Sequence, residues 1–185
     1  ASVTRLIANP ESHEALAPLC HELGIKLMSV DGVIATTAAV LPRISEDRRA
    51  MMLFTSGTPN NPKGVVSTHN TIEAQITTLI EAWAWNREDV IPLFLPLHHI
   101  HGIVNILSCG LWAGATVHLF AKFDIPRITE QVASGTYNVF MAVPTIYVKL
   151  IQYFDSIEQD QVRSICDGFN AMRLNISCLL YTSPS

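Results

Sequence analysis

The chain has 185 residues, a net charge of −4 at neutral pH, and 49% hydrophobic against 15% charged residues. This balance is typical of a globular domain with a substantial core. No apolar run reaches the roughly 18 residues that a membrane span needs, and the acidic charge without a Lys/Arg cluster argues against a nucleic-acid partner. The cysteines lack CxxC spacing, so reduced thiols in an intracellular compartment are expected instead of a zinc site or disulfides; they are Cys20, Cys109, Cys166 and Cys178.

The first 30 residues predict a βαβ unit. Residues 2–8 are β-branched and apolar, and residues 12–23 place apolar side chains three and four positions apart, with Ser12 as the expected helix cap. Gly24 is expected to close the helix before a second strand over residues 25–30. A βαβ unit implies two parallel strands.

The middle of the chain predicts two strands, over residues 50–54 and 64–66, followed by an amphipathic helix. Asn70 and Glu73 have the spacing of a capping box at its start. Its apolar stripe is expected to pack in the core; the stripe is Ile72, Ile76, Leu79, Ile80 and Trp83.

Strand and helix patterns alternate through the rest of the chain. Strands are predicted over residues 90–95, 115–120, 137–143 and 172–177, with Pro92 marking an edge or an irregular end in the first of them. Helices are predicted over residues 103–112, 126–134, 145–154 and 159–166. This alternation predicts an α/β fold with a largely parallel sheet and flanking helices.

Residues 55–64, between the two middle strands, have the composition of a phosphate-binding loop. Three hydroxyls, two glycines and a lysine can supply donors and one positive charge to a polyphosphate. The segment is not a Walker A motif, because Pro62 precedes Lys63 and Gly64 follows it. By composition alone a solvated turn is the competing interpretation.

The same segment resembles the TSGTTGxPKG signature of the adenylate-forming, or AMP-binding, superfamily. Seven of nine specified positions match, and the resemblance implies that the hydroxyl residues and the lysine hold the β and γ phosphates of ATP. At the two departures, Pro59 removes a backbone donor and Asn60 replaces a glycine, so weakened nucleotide contact is expected. The matching positions are Thr55, Ser56, Gly57, Thr58, Pro62, Lys63 and Gly64.

A second segment of interest, residues 95–102, contains His98, His99 and His101 at the end of a predicted strand, where ligands bind in open α/β sheets. A zinc site is disfavoured because no carboxylate or thiol pair completes the ligand set, so no metal site is predicted. Histidines satisfied by hydrogen bonds in the core are the other interpretation.

This segment also resembles a superfamily signature, and the chain from about residue 2 to residue 177 looks most like the malonyl-CoA synthetases within that superfamily. The resemblance assigns His99 a catalytic position beside the carboxylate end of the acyl pocket. His101, two residues further, is hypothesised to contact the far end of the acid. Pro144 and Thr145 correspond to pocket-shaping positions, although a Val-Pro-Thr turn can equally serve only to start a helix.

The resemblance implies an acyl-CoA synthetase that joins a small carboxylic acid, malonate or methylmalonate, to coenzyme A through an acyl adenylate. ATP, Mg²⁺ and coenzyme A would take part. A fatty or aryl acid–CoA ligase is the first alternative, and a non-catalytic remnant that keeps only the fold is the second.

Residues 1–177 are expected to form part of the large N-terminal AMP-binding domain, and residues 178–185 a non-native tail. The glycine-rich adenine turn and the Tyr-Gly-x-Thr-Glu segment of the superfamily do not follow, so the isolated chain is expected to be inactive. A mitochondrial or cytoplasmic location is expected.

Overall fold

The computed structural model describes residues 3–34, 40, 42–58 and 61–177. The side chains of residues 34, 55–58, 61 and 62 lie outside that description. The chain forms two compact units, residues 1–43 and residues 44–185.

The first unit is the predicted βαβ unit. Strand β1 (Arg5–Ala8) pairs in parallel with β2 (Lys26–Ser29), and helix α1 (Pro10–Glu22) connects them. The helix begins earlier than predicted, because Asn9 is the capping residue and proline is tolerated in the first turn. A short helix, α2 (Val30–Ile34), follows β2.

The second unit begins with an antiparallel hairpin of β3 (Arg49–Thr58) and β4 (Asn61–Thr68). Helix α3 (His69–Trp83) follows β4 directly. Its capping box is formed by Thr68 and Thr71, not by the predicted Asn70 and Glu73: the Thr71 amide donates to the Thr68 hydroxyl at 3.2 Å and the Thr68 amide donates to the Thr71 hydroxyl at 2.9 Å. The helix therefore starts at the first residue after the strand.

Four short strands form the sheet behind the hairpin. Strand β5 (Val90–Leu93) pairs in parallel with β6 (Thr116–Leu119), and β7 (Val139–Ala142) pairs in parallel with β8 (Leu174–Ser177). The pairs adjoin where the amide of Asn138 donates to the carbonyl of Val90 at 3.3 Å, which gives the order β6-β5-β7-β8. The α/β class with mostly parallel pairing is confirmed.

Pro92 explains why the sheet consists of two ladders. The Val90 carbonyl accepts from the β7 side and the Leu93 carbonyl accepts from Phe120 on the β6 side. Since backbone groups alternate along a strand, the nitrogen of Pro92 faces β7, where it has no hydrogen to donate. The predicted irregularity is therefore present, but in a strand that lies between two others and not at an edge.

Helices cover the sheet and complete the core. A π-helix (His101–Ser108) runs into α4 (Cys109–Ala113), and α5 (Ile125–Ala133), α6 (Pro144–Phe154) and α7 (Gln159–Ala171) follow. Phe140 on β7 is fully buried and contacts three aromatic rings, Phe94, Tyr147 and Phe169. Among the described helices, none combines the length and apolar character needed to cross a bilayer.

Candidate functional site

The predicted phosphate loop forms the tip of the β3–β4 hairpin. The strands continue up to Thr58 and from Asn61 onward. Most of the segment predicted as a loop is therefore part of the antiparallel pair. Thr55 lies opposite Lys63 in the register, which aligns two predicted phosphate-binding positions across the hairpin. Pro59 and Asn60 lie outside the described residues.

Lys63 is exposed on this hairpin and Gly64 pairs with Phe54. A Cβ atom at Gly64 would approach the sulfur of Met52 to 2.9 Å. The glycine of the motif therefore leaves room for the Met52 side chain. Ser56 and Gly57 belong to β3 between Thr55 and Thr58.

The histidine segment forms a tight turn after β5. The amide of His99 donates to the carbonyl of Pro96 at 3.2 Å, and the amide of Gly102 donates to the carbonyl of His99 at 3.1 Å. A Cβ atom at Gly102 would lie 2.6 Å from the Pro96 oxygen, closer than carbon and oxygen can approach. The Pro-to-Gly spacing of the motif is therefore a backbone requirement.

The three histidines of this turn have different environments. His98 and His99 are exposed, with ring centroids 4.3 Å apart, whereas His101 begins the π-helix and is only 7% exposed. Burial lowers the pKa of His101, because the imidazolium form would lose its hydration. His98 and His99 can contact a ligand from solvent, whereas the ring of His101 lies in the protein interior.

His101 is held by two amide side chains that the sequence analysis did not select. Its Nδ1 lies 3.1 Å from Nδ2 of Asn105, and Nε2 of Gln75 lies 2.9 Å from Oδ1 of Asn105. Nε2 of His101 is buried and has no hydrogen-bond partner in the described part of the chain. The sequence feature that could have identified Asn105 is its position four residues after His101, the spacing of neighbours on a helix face.

Helix α3 connects the two motif segments. Its first residue follows β4, and its Gln75 binds Asn105 of the π-helix. The hairpin with Lys63 and the π-helix that begins at His101 are therefore both attached to α3.

The third predicted segment lies after β7. Pro144 and Thr145 are exposed at the start of α6, and Tyr147 fixes this helix to β8 by donating to the carbonyl of Ile176 at 2.8 Å. Burial raises the pKa of the Tyr147 hydroxyl. The start of β7 bonds to the start of β5 through Asn138 and Val90, and the rings of Phe94 and Phe140 are in contact further along. The residues that follow the two strands therefore lie at the same end of the sheet. The structure thus brings the His99 turn and Pro144 to one edge.

A buried ion pair lies at the opposite ends of the strands and was not predicted. Asp89, which precedes β5, is fully buried, and Arg173, which precedes β8, contacts both of its carboxylate oxygens, with Nε 2.6 Å from Oδ1. Arg173 also donates to the Trp83 carbonyl at 2.8 Å, and the Asn86 amide donates to Asp89 at 3.0 Å. Every polar atom here has a partner suited to it, so this cluster stabilises the fold and is not a ligand site.

Within the described residues, no group of three or more His, Cys, Asp or Glu side chains is arranged to hold a metal ion. What the second unit offers is a lysine-bearing hairpin and a histidine turn at the carboxyl ends of parallel strands. This combination places the chain among α/β proteins whose candidate ligand site lies at the carboxyl ends of the strands.

Comparison with known proteins gives the family. The profile of the family described as AMP-binding enzyme matches residues 6–174, and the chain belongs to this family. The superfamily resemblance of its motifs is thereby confirmed.

Among similar proteins, the mitochondrial malonate–CoA ligase ACSF3 of Bos taurus is 42% identical over 187 residues, covering 93% of this chain and 32% of the relative. ATP-bound MatB from Rhodopseudomonas palustris is similar in fold, with a TM-score of 0.79 at 24% identity over 94% of this chain and 35% of that structure. A malonyl-CoA ligase solved with methylmalonyl-CoA and AMP has a TM-score of 0.76 at 26% identity, covering 95% of this chain and 35% of that structure. The chain thus spans about a third of the length of these relatives.

Proposed function

We propose that the chain forms part of the large domain of an ATP-dependent acid–CoA ligase that acts on malonate or a methyl-substituted malonate. The observation that carries this proposal is the attachment of the Lys63 hairpin and of the π-helix that begins at His101 to the same helix, α3. The names of the similar proteins support the substrate class, since they are malonate–CoA and malonyl-CoA ligases. Residues 1–177 would belong to this domain; residues 178–185 lie outside the description.

The first half-reaction joins the acid to AMP. One carboxylate oxygen attacks the α-phosphorus of ATP, an oxygen–phosphorus bond forms, and the bond to the β-phosphate breaks with release of pyrophosphate. Both reactants are anions, so the protein must hold them together and offset their charge. Lys63 would supply a positive charge to the departing phosphates, while Thr55, Ser56 and Thr58 would donate hydroxyl hydrogen bonds to them and Gly57 and Gly64 would permit close approach.

The second half-reaction transfers the acyl group to coenzyme A. The thiol sulfur attacks the acyl carbon, a carbon–sulfur bond forms, AMP leaves and the thiol proton is released. His99 would line the carboxylate end of the acid pocket in both steps, with Pro144 and Thr145 shaping its wall. His101 would reach the far end of the acid.

Mg²⁺ would arrive with ATP and neutralise phosphate charge. Because the described residues hold no cluster suited to the ion, the residues of this chain are assigned no role in coordinating it. The expectation that the isolated chain is inactive forms part of this proposal.

The test is acid-dependent release of pyrophosphate by the full-length ligase. Malonate and methylmalonate should support it, acetate should support it only weakly, and a medium-chain fatty acid and benzoate should not support it. Release with a fatty or aryl acid alone would favour the first alternative function. If no acid supported release, the second alternative, a non-catalytic remnant, would be favoured. Calorimetry should then show only weak binding of ATP.

A lysine substitution tests the role of the hairpin. Lys63→Ala should reduce kcat/KM for ATP by about 100-fold, the size of effect seen when one charge-stabilising donor is removed. Lys122→Ala is the matched control, because Lys122 is also exposed and lies in a loop before α5. Equal rates for the two variants would remove Lys63 from the phosphate site.

A mitochondrial location is proposed for the full-length ligase, because the bovine relative carries that description.

A further inference from the structure

The hydrogen bonds from Gln75 through Asn105 to His101 all have the same donor-to-acceptor direction. An amide nitrogen can only donate and an amide oxygen can only accept. Gln75 uses its nitrogen toward Oδ1 of Asn105, so Asn105 presents its own nitrogen, Nδ2, to Nδ1 of His101. With both amide groups placed in this way, Nδ1 of His101 is the acceptor and carries no proton.

This arrangement fixes the proton on the other ring nitrogen. A neutral imidazole has one N–H, and the lowered pKa of His101 keeps the buried ring neutral. The hydrogen therefore resides on Nε2, the atom that is buried without a partner in the described part of the chain. An unpaired buried donor costs about 1–3 kcal/mol, and a functional role is one of the explanations for such a group in a native protein.

We propose that Gln75 and Asn105 are positioning residues that hold His101 in its Nε2–H tautomer, so that this hydrogen is a preset donor to the distal carboxylate of a dicarboxylic acid. The assignment rests on the proposed function and goes beyond it by naming the residues that set the donor. Neither Gln75 nor Asn105 touches the substrate.

A carboxylate is the ligand chemistry that fits this donor. It accepts hydrogen bonds only, and a bond to an ionised oxygen is shorter and stronger than a neutral one. His101 lies two residues beyond His99, at the edge where the acid is proposed to bind. Its position at the first residue of a π-helix agrees with the frequent occurrence of such turns at functional sites.

The same geometry gives selectivity against monocarboxylic acids. A methyl group at the far end of the acid cannot accept the Nε2 hydrogen, so the buried donor would stay unpaired when acetate or propionate binds. A site built around a donor rejects substrates that lack the matching acceptor far more strongly than an apolar pocket does.

The first measurement is the tautomer of His101 in this chain without any ligand. Histidine ring ¹⁵N labelling and a long-range ¹H–¹⁵N spectrum distinguish the two neutral tautomers, and the His101 signals are assigned by their loss in His101→Leu. The expected result is a protonated Nε2 and an unprotonated Nδ1. An Nδ1–H tautomer would overturn the proposal.

Gln75→Glu should switch the tautomer from a distance. A carboxylate at residue 75 can only accept, so the Asn105 amide must turn and offer Oδ1 to His101, which then carries its proton on Nδ1. Ala74→Glu is the matched control, because it adds the same charge at the neighbouring exposed position and should leave the Nε2–H tautomer in place. Should Gln75→Glu fail to fold, Asn105→Asp imposes the same switch directly. A folded Gln75→Glu or Asn105→Asp variant with an unchanged tautomer would contradict the proposal.

The second measurement separates this inference from the proposed function. In the full-length ligase, Gln75→Glu should lower kcat/KM for malonate by at least about tenfold, leave the weak rate with acetate within about twofold, and keep KM for ATP unchanged. A switched tautomer with unaltered malonate preference would overturn the donor role of His101. If the full-length ligase without substitutions were inactive with all acids, the proposed function would be refuted. The tautomer measurement would still decide the role of Gln75 and Asn105.

Discussion

Two buried titratable groups, one before the central strands and one after them, differ in how their polar atoms are partnered. At the amino ends, the Asp89 carboxylate is satisfied by Arg173 and by a backbone amide. At the carboxyl ends, His101 is almost as deeply buried, but its Nε2 has no partner among the residues that the structure describes. The contrast holds for these two groups and not for every buried polar atom, because Nε1 of Trp85, four residues before Asp89, also has no partner among the described residues. The Asp89 group stabilises the fold, and the His101 group retains a hydrogen-bonding atom at the end of the sheet where ligands bind in open α/β folds.

The largest effect should come from breaking the amino-end cluster. Asp89→Ala leaves the Arg173 guanidinium partly buried without its counter-ion, and we expect the free energy of unfolding to fall by about 3–5 kcal/mol. Urea denaturation measures this change. Glu88→Ala is the control: its contact with Arg87 is 3.7 Å long and both side chains are about three-quarters exposed, so little should change. A small loss of unfolding free energy for Asp89→Ala would contradict the stabilising role of this cluster.

The next effect should come from the backbone of the histidine turn. Gly102→Ala places a Cβ atom against the Pro96 carbonyl, and the resulting shift should cost about 1–3 kcal/mol of unfolding free energy. Thermal melting detects it. Gly32→Ala serves as the comparison, since no atom lies within 4 Å of its added Cβ. Equal melting temperatures for the two variants would show that the turn can relax freely.

A smaller effect is expected at His101 itself. At neutral pH, His101→Leu removes the hydrogen bond from Asn105, worth about 1 kcal/mol, but also removes a buried unpaired donor of similar or greater cost. The free energy of unfolding should therefore change by no more than about 1 kcal/mol in urea. A loss comparable with that of Asp89→Ala would mean that His101 is a structural group like Asp89.

The finest test is the response of stability to acid. Burial depresses the folded-state pKa of His101 below the ordinary 6.5, so the unfolded chain takes up this proton first as pH falls. The stability contributed by the neutral ring is complete above pH 6.5 and is lost as pH falls from there toward the lower folded-state pKa. Denaturation at several pH values should show a shallower decline in His101→Leu than in the parent. Identical slopes would contradict a neutral buried ring.

The local elements of this fold were predictable because they depend on nearby residues. Apolar spacing located the strands around Pro92 and Phe140 and the stripe on α3. The π-helix was predicted as an ordinary helix beginning two residues later, because apolar periodicity does not distinguish the two hydrogen-bond patterns. The inner ends of the two hairpin strands were predicted as a loop, because hydroxyls and glycines suit both a solvated turn and the end of a strand.

The polar networks were not predictable for a different reason. Asp89 and Arg173 are 84 residues apart, and Gln75 and Asn105 are 30 apart. Such pairs are created by tertiary packing, and one sequence contains no local pattern that links their members. Motif matching indicated His99 and His101, but only the fold supplied the partners of His101.

The proline in β5 has a consequence for cooperativity. Because Pro92 interrupts backbone bonding toward β7, side-chain packing links the two halves of the sheet, including the tilted ring contact of Phe94 and Phe140, whose centroids are 5.7 Å apart. Amides on either side of this seam belong to separate ladders and can exchange with solvent as separate groups. Cooperative unfolding across the seam therefore depends on side-chain packing more than on a continuous backbone network.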